Sequence, residues 1–203
     1  MASPRLILAS ASPRRRNLLA EAGYTFDTEK PDLDEENVAA SYPSELALRL
    51  ARLKAESVAL RHPDAVVLAA DTLVAFGDLV LGKPRDAAHA REMLTLLAGT
   101  THLVITAVAV RHEAAGFAQE QRVMSAVRMR KLSQKEIDDY IAGRDWQGKA
   151  GGYGIQDRDP FVTRMSGSHS NIVGLPMSAT RQLLAAAGVH PTHRTDASDS
   201  VAG

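Results

Sequence analysis

Basic side chains stand beside loops or strand ends at four separate points of this 203-residue chain. They are a pair of arginines after a serine-rich segment and three single lysines: Arg14, Arg15, Lys54, Lys83 and Lys149. An acidic residue, Asp71, directly follows a run of apolar residues. Guanidinium and ammonium groups bind phosphate oxygens, and a positioned carboxylate can take a proton from water. Together these residues indicate an α/β enzyme that acts on a polyphosphate.

The first basic pair lies in a segment that predicts a strand, a serine-rich loop and the start of a helix. Residues 6–8 are an apolar run typical of a buried strand, Ser12 suits the N-cap, and Pro13 suits the first helical position. A helix N-terminus has free N–H groups and a dipole that favours an anion, so this segment suits a phosphate. A capped helix with a solvated basic turn fits the same residues equally well.

The acidic candidate follows the most apolar stretch of the chain. Residues 65–70 (AVVLAA) predict a central strand buried on both faces, running straight into Asp71 and Thr72. An acidic residue at the end of such a strand lies where open α/β sheets bind ligands, which makes Asp71 a candidate general base. An aspartate that caps a loop is the alternative. Residues 73–81 then predict a hairpin that leads into a stiff Gly-Lys-Pro turn presenting Lys83.

Two more candidates lie between these segments. An acidic loop before residue 38 contains Glu35, and it is either a solvated loop or a source of carboxylate ligands for Mg²⁺. A helix is predicted over residues 43–61, with an apolar face of four leucines: Leu46, Leu50, Leu53 and Leu60. Lys54 lies on a flanking stripe of small residues. By default its ammonium is expected to extend into solvent. The alternative is that the ammonium reaches across a cleft to a phosphate.

The remaining predicted elements alternate between helices and strands: a helix capped by Asp86, strands over 102–111 and 121–131, a helix opened by a Ser133–Glu136 capping box, and a last helix over 177–187. Between them, KAGGYGIQ (residues 149–156) has glycines that let the backbone approach a flat ligand. Gln156 offers a donor and an acceptor, which suits the edge of a nucleobase. Residues 167–176 predict a loop of small residues.

Composition excludes several classes of protein. The formal net charge is zero and 4% of residues are aromatic, which argues against a nucleic-acid binder. No cysteine is present, so a thiol nucleophile or thiolate metal site is impossible, and the seven histidines form no ligand cluster. No apolar run has the length of a membrane span or a signal peptide core, so we expect a cytoplasmic protein with no membrane partner.

Seven short motifs follow one another in a specific order: LASASPRR (8–15), PDLDEE (31–36), RLARLKA around Lys54, AADT (69–72), GKP (82–84), KAGGYGIQ (149–156) and NIVGLP (171–176). On these motifs the chain resembles the Maf family of nucleoside triphosphate pyrophosphatases. The resemblance covers residues 6–188, which is nearly the whole chain.

The resemblance implies an elongated, mixed α/β sheet with flanking helices and two lobes around a cleft, a fold related to that of the inosine triphosphate pyrophosphatases. It implies a single domain over residues 1–188. Residues 189–203 are expected to form a disordered tail, since residues from His190 onward are polar with no apolar period. Because dimers are usual among relatives, a homodimer is a further expectation.

The implied activity is hydrolysis of a nucleoside triphosphate between the α- and β-phosphates, with a divalent cation such as Mg²⁺ or Mn²⁺. The resemblance makes Asp71 the general base and, with Glu35, a metal ligand. It implies a set of substrate-binding residues: Ser10, Arg14, Arg15, Lys54, Thr72, Lys83 and Gln156. Arg16, at a position where the family pattern requires no arginine, is expected to be solvated.

At three positions the chain resembles the residue pattern of the family branch that acts on dTTP and UTP, namely Arg14, Thr72 and Gln156. Modified pyrimidine nucleotides are additional candidate substrates. Two rival hypotheses stay open: a non-catalytic nucleotide-binding regulator of cell division or septum formation, and an inosine triphosphate-type phosphohydrolase.

Overall fold

The computed structural model describes residues 4–35, 37–158 and 160–192. Within these residues seven strands form one sheet: β1 Leu6–Ala9, β2 Asp27–Glu29, β3 Val66–Phe76, β4 Leu79–Leu81, β5 Thr101–His112, β6 Phe117–Met129 and β7 Val162–Ser166. The helices flanking it are α1 Pro13–Glu21, α2 Pro43–Ala59, α3 Ala87–Leu97, α4 Gln134–Gly143, α5 His169–Val173 and α6 Met177–Ala186. The predicted mixed α/β class is confirmed.

The strands follow the order β2-β1-β3-β5-β6-β7, with β4 paired to β3 outside this row. β1 runs parallel to β2 and β3, and the other pairings are antiparallel. β3 and β5 are nearly continuous apolar strands because helices cover both of their faces. The edge strands β2 and β7 are mostly exposed.

Local signals set the beginnings of several helices as predicted. The side chains of Ser12, Asp86 and Ser133 each accept a hydrogen bond from the backbone N–H three residues further on. Ser133 and Glu136 form a complete capping box at the start of α4. Such contacts involve only neighbouring residues, which is why the sequence alone predicts them.

Three clusters of buried side chains hold the helices to the sheet. α2 packs on one face through small residues such as Ala51 and Ala55. α1 and α6 pack on the other face through Leu19 and Leu184. α3 and α4 enclose a third cluster that includes Trp146 and lies against β4, β5 and β6.

The predicted end of the central strand at Asp71 is wrong. β3 continues without a break, so Asp71 and Thr72 lie in its middle. The reason is β5, which pairs with β3 from Val67 to Ala75 and keeps the polar residues extended. β1, however, ends at Ala9 opposite Ala69, so the parallel part of the sheet stops just before Asp71.

Two other expectations are corrected, and two strands were not predicted. The buried face of α2 consists of Leu50 and the small-residue stripe, whereas Leu60, just past the end of the helix, is exposed. Residues 167–176, predicted as a loop, contain the short helix α5. β2 and β7 were not predicted, because edge strands with exposed side chains lack the apolar signal of a strand.

The last described residues contact the domain. Val189 packs in the cluster of α1 and α6, and the Thr192 N–H donates to the Gly23 carbonyl at 2.8 Å. Residues 193–203 of the predicted tail lie outside the described residues, and the domain boundary at residue 188 stays a prediction. Among the helices of the described chain, none combines the length and apolar character needed to cross a bilayer.

Candidate functional site

A cleft of about 510 Å³ opens where β1 ends while β3 continues past it. Every residue that the sequence marked as catalytic, substrate-binding or metal-binding lines this cleft: Ser10, Arg14, Arg15, Glu35, Lys54, Asp71, Thr72, Lys83 and Gln156. One side, the strand wall, carries Ser10, Arg15, Lys54, Asp71 and Thr72. The other side, the loop wall, consists of residues 147–157.

The alternation of β3 distributes its two polar residues, since neighbouring residues of a strand point to opposite faces of the sheet. Asp71 shares a face with Ala69, which packs against α2. Thr72 shares a face with Ala70, which packs with α1 and α6. Asp71 therefore meets a side chain of α2, whereas Thr72 meets one of α1.

The side chain from α2 is Lys54, whose Nζ lies 2.6 Å from Asp71 Oδ1 and 3.0 Å from Glu35 Oε2. Lys54 and Asp71 are each 4% exposed, and a buried charge of this kind requires a partner. The default expectation that Lys54 extends into solvent is wrong. Alanines on the same face of α2 allow the helix to pack close to the sheet. The ammonium of Lys54 therefore reaches the carboxylate of Asp71 at the cleft.

Neighbouring charges set the protonation of Glu35 and Lys83. Burial acts to raise the pKa of Glu35, but the charges of Lys54 and Lys83 outweigh burial and hold that pKa below its ordinary value. Lys83 is exposed as a residue, yet the enclosed position of its ammonium lowers the pKa of Lys83, with Glu35 opposing this shift. Glu35 is therefore ionised at neutral pH and can hold a cation.

Asp71 Oδ2 is buried and has no hydrogen-bond partner among the described residues. Buried carboxylate oxygens are rarely left unpaired, so this atom marks a place for a water or a cation. Hard divalent cations prefer such oxygen ligands, and Glu35 approaches the same ammonium as Asp71. The described residues contain no group of three or more potential ligand side chains. Two carboxylates suit Mg²⁺, which commonly completes its coordination with phosphate oxygens and water.

Three protein acceptors hold the guanidinium of Arg15. Its Nε donates to the Gly174 carbonyl at 2.8 Å, its Nη2 to Thr72 Oγ1 at 3.0 Å, and its Nη1 to Ser10 Oγ at 3.4 Å. Burial lowers the pKa of Arg15, with Asp71 opposing, but an arginine stays charged at neutral pH. Since a guanidinium has five N–H donors, two of them remain available for phosphate oxygens.

Arg14 connects the two walls of the cleft. Its Nη2 donates to the Gly148 carbonyl at 3.0 Å. Burial lowers the pKa of Arg14, and the Asp157 carboxylate opposes that shift. Arg16 is exposed on α1, as expected from the sequence. The three successive arginines thus have separate surroundings.

Asp157 organises the loop wall. Its Oδ2 accepts from the Tyr140 hydroxyl at 2.7 Å and from the Gly154 N–H at 2.9 Å, and its Oδ1 pairs with Lys149. A Cβ at position 154 would lie 2.6 Å from Asp157 Oδ1, so a larger residue there would displace the Asp157 carboxylate. The ammonium of Lys149 is therefore paired within the loop wall, although the sequence indicated a single lysine that could bind a phosphate.

A buried His102–Tyr153 pair anchors the loop wall to the sheet. His102 Nε2 lies 2.6 Å from the Tyr153 hydroxyl, and the rings pack edge to face. His102, on β5, is 3% exposed, and burial lowers its pKa to about 4. The imidazole is therefore neutral at neutral pH. Val74 and Ile155, which pack in the same apolar cluster as Tyr153, also line the cleft.

The family model described as "Maf-like protein" matches residues 5–187 of the chain. This chain belongs to the Maf-like protein family. A relative from Cereibacter sphaeroides, named dTTP/UTP pyrophosphatase, is 50% identical over 194 residues, which are 95% of this chain and 99% of the relative. A relative of the same name from Rhodospirillum rubrum is 50% identical over 188 residues, 92% of this chain and 89% of its own.

A solved structure, described as a HAM1 protein from Coxiella burnetii, matches with a TM-score of 0.43 at 15% identity. The match covers 64% of this chain and 75% of that chain. At this level the similarity by itself does not establish a common fold, so the membership of the Maf-like family stands on the family model and the two relatives.

Sequence reasoning missed several residues of this Maf-like site. Lys30 lines the cleft from the segment after β2, and Asp157 holds the loop wall. Thr106 and Asn171 lie behind Arg15 and Thr72 without reaching the cleft. A partial signal existed for Asp157, because aspartate is one of the residues that commonly bond to the backbone of a turn. No local signal existed for Thr106, whose partners are distant in sequence.

Proposed function

We propose that this Maf-like protein hydrolyses dTTP and UTP between the α- and β-phosphates, producing the nucleoside monophosphate and pyrophosphate. The observation that carries the proposal is the buried Asp71, which has one oxygen without a partner among the described residues and lies beside the ammonium of Lys54. The names of the relatives support the choice of substrates.

The charge of the cleft supports a polyphosphate ligand. Its described lining contains six basic side chains, Arg14, Arg15, Lys30, Lys54, Lys83 and Lys149, against three acidic ones, Glu35, Asp71 and Asp157. A concave surface with such an excess attracts anions. Arg15, Lys54 and Lys83 are the groups that we assign to the phosphates.

In the proposed reaction, Asp71 Oδ2 accepts a proton from a water molecule while the water oxygen bonds to the α-phosphorus. The bond from the α-phosphorus to the bridging oxygen breaks, and its electron pair leaves with pyrophosphate. Lys54 and Lys83 stabilise the negative charge that develops on the leaving group. The proton stays on Asp71 until solvent removes it.

Glu35 and Asp71 are the residues that would hold a divalent cation beside the phosphates, since both carboxylates approach the Lys54 ammonium at the cleft. When bound there, Mg²⁺ or Mn²⁺ supplies neutralisation of charge on the phosphate oxygens. On the opposite face of β3, the guanidinium of Arg15 supplies a further positive charge for the phosphates.

The nucleobase is assigned to the loop wall. Gln156 lines the cleft there and offers one donor and one acceptor, which matches the acceptor and donor on the edge of a uracil or thymine ring. The ring of Tyr153 and the nearby apolar side chains provide a surface for the flat base.

The test uses purified protein, Mg²⁺ and dTTP or UTP in water labelled with heavy oxygen. We expect pyrophosphate as product and the label in the monophosphate, because water attacks the α-phosphorus. The Asp71→Asn variant should lose about 10²–10⁴-fold in rate while keeping its circular dichroism spectrum. Asp78→Asn changes an exposed residue of the same hairpin and should retain full activity.

Release of orthophosphate, label in the pyrophosphate, or full activity of Asp71→Asn would contradict the proposal. Binding of triphosphates without turnover across a full nucleotide panel would support a non-catalytic nucleotide-binding protein instead.

A further inference from the structure

Thr72 belongs to a chain of hydrogen bonds that runs from the cleft into the core. Arg15 Nη2 lies 3.0 Å from Thr72 Oγ1, which lies 3.0 Å from Thr106 Oγ1, which lies 3.0 Å from the Asn171 carbonyl oxygen. Thr106 is 0% exposed, so no substrate can contact it. The chain therefore links a residue of the cleft to one that lies entirely behind it.

The direction of every bond in this chain is determined by the chemistry of its ends. A carbonyl oxygen only accepts, so the single hydroxyl hydrogen of Thr106 goes to Asn171. Thr106 must then accept from Thr72, which uses the single hydroxyl hydrogen of Thr72. The oxygen of Thr72 is left to accept from Arg15, which has only donors.

It follows that Thr72 has no hydrogen to donate to a nucleotide. Its hydroxyl is committed to Thr106, and a lone pair of its oxygen faces the guanidinium. The expectation that Thr72 itself binds substrate stays a prediction, and the hydrogen-bond chain gives Thr72 a further role, as an acceptor that fixes the orientation of Arg15.

The inner end of the chain is rigid. The Asn171 side chain is buried, and its Nδ2 donates to the Val104 carbonyl at 3.0 Å and to Ser125 Oγ at 2.8 Å. Three residues later, the Gly174 carbonyl accepts from Arg15 Nε. Gly174 has φ +114°, and a Cβ there would lie 3.2 Å from Thr72 Oγ1. The segment that contains Asn171 and Gly174 thus acts on the guanidinium in two ways: directly through the Gly174 carbonyl, and indirectly through the Asn171 carbonyl by way of Thr106 and Thr72.

We propose that Thr106 is a positioning residue for the phosphate subsite, acting through Thr72 to orient the guanidinium of Arg15 toward the nucleotide. The proposal rests on the proposed function in assigning a nucleoside triphosphate to Arg15. It predicts that removal of one hydroxyl in the core weakens nucleotide binding without a change in any group that touches the nucleotide.

The test compares two buried threonines. Thr106→Val exchanges the hydroxyl for a methyl group of similar size, leaves the Thr72 hydroxyl without its acceptor, and should raise the KM for dTTP about tenfold, with kcat within about twofold. Thr106→Ser restores the hydroxyl and should restore the KM. Thr180→Val is the matched control, since Thr180 is also 0% exposed and its Oγ1 has no partner among the described residues. Its KM should equal that of the wild type.

A double-mutant cycle shows whether the effect passes through Arg15. In an Arg15→Lys background, Thr106→Val should add little to the KM, because no guanidinium remains to be oriented. Additive effects would overturn the proposal, as would a Thr106→Val protein whose KM matches that of Thr180→Val. If Thr106→Val does not fold, Thr72→Val breaks the same chain at the cleft and should show the same dependence on Arg15.

A binding measurement separates this proposal from the proposed function. The dissociation constant of α,β-methylene-dTTP, which cannot be hydrolysed, should rise about tenfold in Thr106→Val. If the wild type hydrolyses no triphosphate but this constant shifts as expected, the proposed reaction is wrong and the positioning role stands. If the wild type hydrolyses dTTP but the constant does not shift, only the positioning role is wrong.

Discussion

The strand wall and the loop wall of the cleft present their polar groups from different kinds of backbone. Asp71 and Thr72 lie in the middle of β3, and Lys54 lies within α2. The loop wall has only one short 3₁₀ turn, Ala150–Gly152, and several of its glycines have positive φ. One wall is thus built from regular elements that meet in space, and the other from a single continuous segment.

The two walls are also held together by different contacts. In the strand wall, the Lys54–Asp71 ion pair joins residues that are 17 positions apart, and both are buried. In the loop wall, Asp157 binds Gly154 and Lys149, which are close to it in the chain, and Tyr153 reaches the sheet through His102. We therefore expect a substitution in the strand wall to change both the stability of the protein and its catalysis. A substitution in the loop wall should change one of these two properties without the other.

The largest effect is expected in the strand wall, for Lys54→Met. Asp71 would keep a buried charge without its partner, which should lower the free energy of unfolding by about 3–5 kcal/mol. Loss of the ammonium beside the phosphates should also lower kcat/KM about 10²–10³-fold. Chemical denaturation and steady-state kinetics with dTTP measure the two effects.

The control is Lys135→Met, which removes an exposed lysine that pairs with Asp139 one helical turn away. It should change neither quantity measurably, since exposed ion pairs contribute little. A Lys54→Met protein as stable as Lys135→Met would show that the strand wall does not depend on its buried ion pair.

The next effect is expected beneath the loop wall, at His102. Its pKa is about 4 in the folded protein against 6.5 ordinarily. Above pH 6.5 the imidazole is neutral in both states. As the pH falls from 6.5 toward 4, only the unfolded state gains the proton, so the folded state loses about 3 kcal/mol of stability.

The His102→Gln variant, which has no titrating ring, should lose less stability over this pH range, as measured by urea denaturation at a series of pH values. His169→Gln, at an exposed position, should follow the wild-type curve. Parallel curves for the wild type and His102→Gln would mean that this histidine is not the neutral anchor of the loop wall.

The smallest effect is expected at the surface of the loop wall, for Gln156→Glu. A carboxylate accepts from the amino group of cytosine but cannot donate to O4 of uracil, so the ratio of kcat/KM for CTP to that for UTP should rise about tenfold. Gln147→Glu makes the same change at another residue that lines the cleft and should not alter this ratio. An equal ratio in both variants would place the base elsewhere.

The sequence predicted the central elements of the fold and the identity of the charged groups. β1, α1, the hairpin of β3 and β4, and the caps at Ser12, Asp86 and Ser133 were all predicted. These features depend on apolar runs and on hydrogen bonds between residues three apart, so short segments of the sequence are sufficient to predict them. The edge strands β2 and β7 were not predictable in this way, because their stability comes from pairing with neighbours and not from burial of their own side chains.

Residue types and their local order thus establish which side chains carry charge, which motifs they belong to and where most helices begin. The packing of distant elements establishes that Lys54 faces Asp71 and not solvent, that β3 runs through Asp71 and Thr72, and that Thr106 lies behind Arg15. Each of these outcomes depends on which strand and which helix lie next to β3. The contacts concerned join residues 17 to 65 positions apart, and no local pattern specifies such partners.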